Sequence, residues 1–259
     1  MSLRRERNHM QVNAAQGINL AFPAQNTTPS FTPVRAGKNG TLIAVILDES
    51  GSMSVCRDAT ISGFNEFVQG QAQAAHAGAA YLSLIKFDAP NVTTVYENVP
   101  VSKVEPLSHK TYAPGGGTNL LDAVGDTITR ISTFLSTIPE SDRPGVLIMI
   151  MTDGEENASL TYNHAQIKSM VKTCETEADF TFMFLGANVD AFAMGNTFGM
   201  NASNTASYST ASMAATMTVM SESATRVRAA KSAGVSTQEL YASATLYSAE
   251  DRQKMTGGN

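Results

Sequence analysis

Three stretches of the chain, Leu42 to Leu47, Val146 to Thr152 and Phe180 to Leu185, are apolar runs without sustained polar alternation, Thr152 and Thr181 being their polar members. A run of that kind predicts a strand covered on both faces, the condition of an inner strand in a parallel sheet. The first strand is placed at about 41–48. Tyr81 to Phe87 reads as a second strand and Val92 to Tyr96 as a short third, with Asp88-Ala89-Pro90-Asn91 as a hairpin-like turn between them. A short edge strand is expected near 206–209. Between the strands the period becomes helical. Ile61, Phe64, Val68, Ala72 and Ala75 share one helical face, as do Leu121, Val124, Ile128, Ile131 and Leu135. Ile167, Met170, Val171 and Cys174 mark a third face; Met213, Met217, Met220, Ala224 and Val227 mark the last. Strand alternating with helix predicts an α/β domain: a doubly wound, mostly parallel central sheet with helices on both faces and right-handed crossovers.

The two ends lack this patterning. Residues 1–37, interrupted by Pro23, Pro29 and Pro33, read as an extended or disordered N-terminal arm. Residues 38–232 hold the periodic elements. Residues 233–259 form a weakly patterned C-terminal tail for which helix is one option.

At 259 residues and 42% hydrophobic content the chain can bury a sizeable core. The formal charge of −5, with no basic cluster beyond Arg4-Arg5-Glu6-Arg7, argues against nucleic acid as a partner. No apolar run approaches the ~18 residues of a membrane span, and no signal-peptide core follows the basic N-terminus, so a cytoplasmic protein without a membrane partner is expected. Cys56 and Cys174 lack the spacing of a redox pair or a zinc site.

The candidate chemistry lies at strand ends. Asp48-Glu49-Ser50-Gly51-Ser52 follows the first apolar run and delivers a carboxylate and two hydroxyls in one tight turn. Gly115-Gly116-Gly117-Thr118-Asn119 opens a helical pattern, and Met149-Ile150-Met151-Thr152-Asp153-Gly154 ends another strand with a carboxylate. Oxygen-only donors with few carboxylates suit a hard cation, magnesium above all. Ligands of open parallel sheets sit outside the carboxyl ends of the strands, where strand order reverses.

These three motifs, in this order over roughly residues 38–232, resemble the von Willebrand factor type A family and its metal-ion-dependent adhesion site (MIDAS). The resemblance implies that Asp48, Ser50, Ser52, Thr118 and Asp153 bind one divalent cation, Mg2+ with Mn2+ able to substitute. It further implies a Rossmann-like fold with the first and fourth strands adjacent, and a partner protein that completes the cation shell with an Asp or Glu carboxylate. In that family the last helix, here about 212–231, moves when the threonine joins the shell. Asp122, Glu155, Asn188 and Asp190 are expected beside the ligands or on the rim. Glu49 is expected to point away, solvated or bonded to backbone.

Compact intracellular bacterial or phage-type members of the family imply an alternative role, as a regulatory or structural adaptor of a separate AAA+ ATPase, a stress-resistance module or a phage assembly. An enzyme is disfavoured. No G-x-S-x-G surrounds Ser50 or Ser52, no lysine follows the triple glycine as a phosphate loop requires, and Ser50 replaces the second carboxylate of an Asp-x-Asp phosphoryl-transfer site. A metal-dependent hydrolase is the remaining catalytic alternative. The methionine stripe reads as core packing, with a partner groove as the other option.

Overall fold

The structure, a computed structural model, describes residues 37–187, 190–243 and 246–257. Its strands are β1 (Thr41–Asp48), β2 (Ala80–Asp88), β3 (Asn91–Pro100), β4 (Gly145–Thr152), β5 (Phe180–Ala187) and β6 (Thr205–Tyr208). They form one sheet in the order β3-β2-β1-β4-β5-β6. All pairings are parallel except that of β2 with β3. The order reverses between β1 and β4, which are direct neighbours. β3 is longer than its apolar segment predicts, because hairpin pairing with β2 carries the half-exposed residues up to Pro100 into the ladder.

The helices are α1 (Arg57–Gln73), α2 (Leu120–Ser136), α3 (His164–Glu177), α4 (Ala191–Thr197), α5 (Met213–Ser232), α6 (Thr237–Ala242) and α7 (Ala249–Thr256). Successive residues of β1 point to opposite faces of the sheet. Ile43, Val45 and Leu47 join a core with Phe64 of α1 and Met217 of α5, while Leu42, Ala44 and Ile46 join one with Val124 of α2 and Val171 of α3. Both faces are therefore covered, which is why β1 reads as an unbroken run. Met213, Met217 and Met220 are buried in the first core, as the packing reading of the stripe has it. At Gly63 a Cβ would lie 2.4 Å from Met217 Cγ, so the close approach of α1 to α5 depends on glycine there.

The polar continuation of the α5 stripe is buried too. Arg228 is 1% exposed; its guanidinium donates to the carbonyls of Gln71 (3.0 Å), Ala74 (3.3 Å) and Gly78 (2.6 Å) and to Gln71 Oε1 (2.9 Å). It thereby satisfies acceptors that the end of α1 leaves open. Lys231 Nζ reaches Asp179 Oδ2 (2.7 Å) and Thr237 Oγ1 (2.6 Å).

The segment after residue 232 is helical in two pieces and packs onto the domain. Capping boxes at Ser236/Glu239 and Ser248/Asp251 start α6 and α7. Leu240, Tyr241, Leu246, Tyr247 and Met255 are buried in the same core as α5. Ser223 Oγ donates to the Leu246 carbonyl at 2.7 Å, and Arg226 pairs with Asp251 at 3.0 Å. Among the described residues no helix is long and apolar enough to cross a membrane. The N-terminal arm lies outside the described residues, apart from Gly37.

Glu175 of α3 accepts from Tyr241 Oη at 2.7 Å, and burial pushes its carboxyl up to about 7, the Tyr241 bond only partly offsetting it. In the unfolded chain it titrates near the ordinary value of 4.5. The folded state thus holds the extra proton between those values. Its contribution to stability is full below about pH 4.5, falls as pH rises to about 7 and is flat above. Glu175→Gln keeps an acceptor for Tyr241 without a charge to bury. The variant is expected to exceed the wild type by about 1–3 kcal/mol at pH 8 and to match it at pH 4.5, read from urea unfolding. An equal difference at both pH values would refute this.

Candidate metal centre

Asp48 is the last residue of β1, and parallel pairing sets it beside the end of β4. Its Oδ1 accepts the Ser50 N–H at 2.7 Å, which tightens the turn, and its Oδ2 accepts the Thr152 hydroxyl at 2.5 Å. Ser50 Oγ lies 3.1 Å from Ser52 Oγ, and Ser52 Oγ donates to Asp153 Oδ1 at 2.6 Å. Four of the five oxygen-bearing residues are thus joined into one linked group. Thr118 closes it from the second loop. A Cβ placed on Gly154 would stand 3.2 Å from Thr118 Oγ1 and 3.7 Å from Ser52 Oγ, so both hydroxyls face one small space. Asp48, Ser50, Thr118 and Asp153 are buried, while Ser52 is exposed and marks the open side.

The glycine loop is held to this turn by backbone bonds. Gly115 N–H donates to Glu49 O at 2.9 Å, Gly51 N–H to Gly116 O at 3.2 Å, and Ala89 N–H to Gly117 O at 2.9 Å. Gly116 has φ +65°, and a Cβ there would meet the Ala89 carbonyl at 2.7 Å, so only glycine serves. Asn157 grips Thr118 from both sides: its Oδ1 accepts the Thr118 N–H at 3.0 Å and its N–H donates to Thr118 O at 3.0 Å.

Burial raises the pKa of Asp48 against the lowering bonds from Thr152 and Ser50, and Asp153 adds repulsion. Burial likewise raises Asp153 against the Ser52 bond. Two carboxylates held where both pay for charge form a site that a dication relieves. Asp153 Oδ2 is buried without a protein hydrogen-bond partner among the described residues. That orphaned oxygen, beside clustered hydroxyls, fits a hard divalent ion. No group of three His, Cys, Asp or Glu suited to a metal occurs among the described residues, so the donors gathered here are two carboxylates and three hydroxyls.

The other expected residues sit farther out. Asp122, in the first turn of α2, accepts the backbone N–H groups of Leu160, Thr161 and Tyr162, each at 2.9 Å, and so braces the loop after Asp153. Glu155 is exposed on that loop. Asp190 caps α4 by accepting the Ala193 N–H at 2.9 Å, and Asn188 lies outside the described residues. Glu49 is bonded to backbone as expected, its Oε1 accepting the Ala113 N–H at 2.6 Å, but it is buried rather than solvated and is also ion-paired with Lys86 at 2.7 Å. The pair moors the approach to the glycine loop. His109 pairs with Asp58 at 3.3 Å on an exposed surface.

Sequence reasoning missed four supports. Besides Thr152 and Asn157, the fully buried Tyr112 donates from Oη to the Asp48 carbonyl at 2.7 Å. Glu156 accepts the Leu121 N–H at 2.9 Å and so serves the open start of α2. The one available signal was Tyr112, a lone aromatic in a loop of Ser, His, Lys, Thr, Pro and Gly.

The architecture and strand order are those of the von Willebrand factor A, Rossmann-like fold. Among solved structures, proximal thread matrix protein 1 from the mussel byssus shares it: TM-score 0.51 and 13% identity, over 73% of this chain and 46% of that one. A form of the same protein with a zinc-occupied MIDAS motif gives 0.49 and 13%, over 68% and 46%. Manganese-loaded TRAP protein of Plasmodium vivax gives 0.42 and 14%, over 69% and 72%. The chain spans less than half the length of the mussel protein. No protein-family model and no curated protein sequence matches it.

Proposed function

We propose that this domain is a metal-dependent protein-binding module whose cation, magnesium with manganese able to replace it, joins the domain to an Asp or Glu carboxylate of a partner protein. The observation that carries the reading is the linked group Asp48, Ser50, Ser52 and Asp153, with Thr118 against it and one buried carboxylate oxygen left unpartnered. Bound there, a divalent cation supplies an electrophilic open position for an anionic oxygen. Ser50, Ser52 and Thr118 are neutral donors, so this set leaves much of the positive charge uncompensated and available to a ligand. Asp48 and Asp153 attract the ion and orient the hydroxyls. Glu49, Lys86, Tyr112 and Asn157 hold the loops still, so the geometry is present before the ion arrives.

Calorimetric titration tests the reading. Magnesium and manganese are expected to bind the wild-type domain at one site, and Thr118→Ala to weaken binding about tenfold or more without loss of fold. Absence of binding of either ion at millimolar concentration would overturn the proposal.

A further inference from the structure

We infer that the partner segment carries apolar side chains beside its carboxylate, and that Val55, Leu160 and Phe192 receive them. The inference rests on the cation-dependent reading above. These three are the exposed large hydrophobics among the described residues, at 77%, 91% and 44% exposure. A single exposed apolar side chain is commonplace on a protein surface. Here all three follow the carboxyl ends of strands: Val55 after β1, Leu160 after β4 and Phe192 after β5. They lie at the edge of the sheet that holds the five oxygens.

Each also belongs to a segment held by hydrogen bonds or a ring contact. Leu160 and the two residues after it are bonded through their N–H groups to the Asp122 carboxylate, and Glu156 Oε1 takes those of Ala158 (2.9 Å) and Ser159 (2.7 Å). The Phe192 ring has the Arg252 guanidinium 5.6 Å from its centroid, and Arg252 is itself anchored on the carbonyls of Ala202 (2.7 Å) and Thr205 (2.5 Å). Val55 sits in the tight turn Gly51–Cys56, where the Ser54 hydroxyl bonds the Gly51 carbonyl. Apolar tips on loops already ordered lower the entropic cost of association, as a contact surface requires.

Charge selects the rest of the occupant. Glu155 and Asp190 leave exposed carboxylates on the same rim. With a cation at the centre, one acid of the partner is attracted there, and further acids beside it meet repulsion. The complementary occupant is therefore a protein segment with one Asp or Glu flanked by residues such as Leu, Ile or Phe.

Selection of displayed random peptides on the domain, in magnesium and in EDTA, tests this. Magnesium-dependent peptides are expected to carry a single acid with large apolar neighbours. The double variant Leu160→Ser/Phe192→Ser is expected to bind them about tenfold more weakly while its magnesium affinity, measured by calorimetry, stays unchanged. Magnesium-dependent peptides without apolar neighbours, or with undiminished affinity for the double variant, would overturn the inference and leave the cation reading standing. Peptides bound equally well in EDTA, or no magnesium-dependent peptide at all, would overturn the inference together with the partner role of the cation.

Discussion

Asp48→Asn is expected to abolish the thermal stabilisation that magnesium confers, while the cation-free domain stays as stable as the wild type. The asparagine retains an oxygen for the Ser50 N–H and places an amide opposite the Thr152 hydroxyl, so both bonds of the native carboxylate keep a partner. It also removes a charge that burial and Asp153 disfavour. What it loses is half of the negative charge at the centre. Magnesium at about 100 times its dissociation constant should stabilise the wild type by about 2.7 kcal/mol, or roughly 5–10 °C for a domain of this size, and the variant by close to nothing. Val45→Asp, three residues earlier on β1, has the opposite profile. Val45 is 1% exposed between two sheet neighbours, and a carboxylate there has no partner, so the domain should not fold. Thermal scans with and without magnesium separate the two. A cation-induced shift in Asp48→Asn equal to that of the wild type would remove Asp48 from the site.

Arg228→Met should cost about 3–5 kcal/mol in urea unfolding at any pH near neutrality. Methionine replaces the stem out to the position of Nε but not the guanidinium carbon and its two terminal nitrogens, so the loss combines a small packing defect with stranded acceptors. The Gln71, Ala74 and Gly78 carbonyls and Gln71 Oε1 would lose a charged donor in a buried place, each at about 1 kcal/mol or more. Burial lowers the Arg228 pKa from its very high ordinary value, and among the described residues no carboxylate pairs with it; the end of α1 supplies its negative pole. Arg228→Lys should recover only part of the loss, because one ammonium cannot span acceptors that two guanidinium nitrogens reach. A loss below about 1 kcal/mol for Arg228→Met would show that water replaces the guanidinium.

Arg228 also shows where the sequence was hard to read. The α5 face continues past Val227 in unbroken helical spacing through Arg228 and Lys231, but the change to charged residues reads as the end of the buried stripe. Burial there depends on acceptors from α1 and on Asp179, far away in sequence. Strands β1, β4 and β5 were legible because both faces of the sheet are covered, which leaves a local mark. α4 was not, since seven residues that include Gly195 carry less than two helical turns of pattern. α7 was obscured for another reason: half of its residues are charged, and its hold on the core comes chiefly through Met255. In the site, the five oxygen-bearing residues were visible as short local motifs, two at strand ends and one at the start of a helix. Glu49, Tyr112, Thr152 and Asn157 were not, because what each does is set by a partner from another loop.

The register of β1 against β4 governs when this site comes into being. Asp48 and Thr152 are 104 positions apart, and only parallel pairing of the two strands brings the first carboxylate to the loop after β4. That pairing closes a long stretch of chain, which includes the whole β2–β3 hairpin and α2. A slip of one residue would turn Asp48 to the other face of the sheet. A partly assembled domain holding only β1, β2 and β3 has the first turn but neither Thr152 nor Asp153. Competence for the ion therefore requires that β1 and β4 be paired in register. A cation that binds only when the two strands are so paired would act as a lock on the finished sheet, stabilising it against opening by mass action.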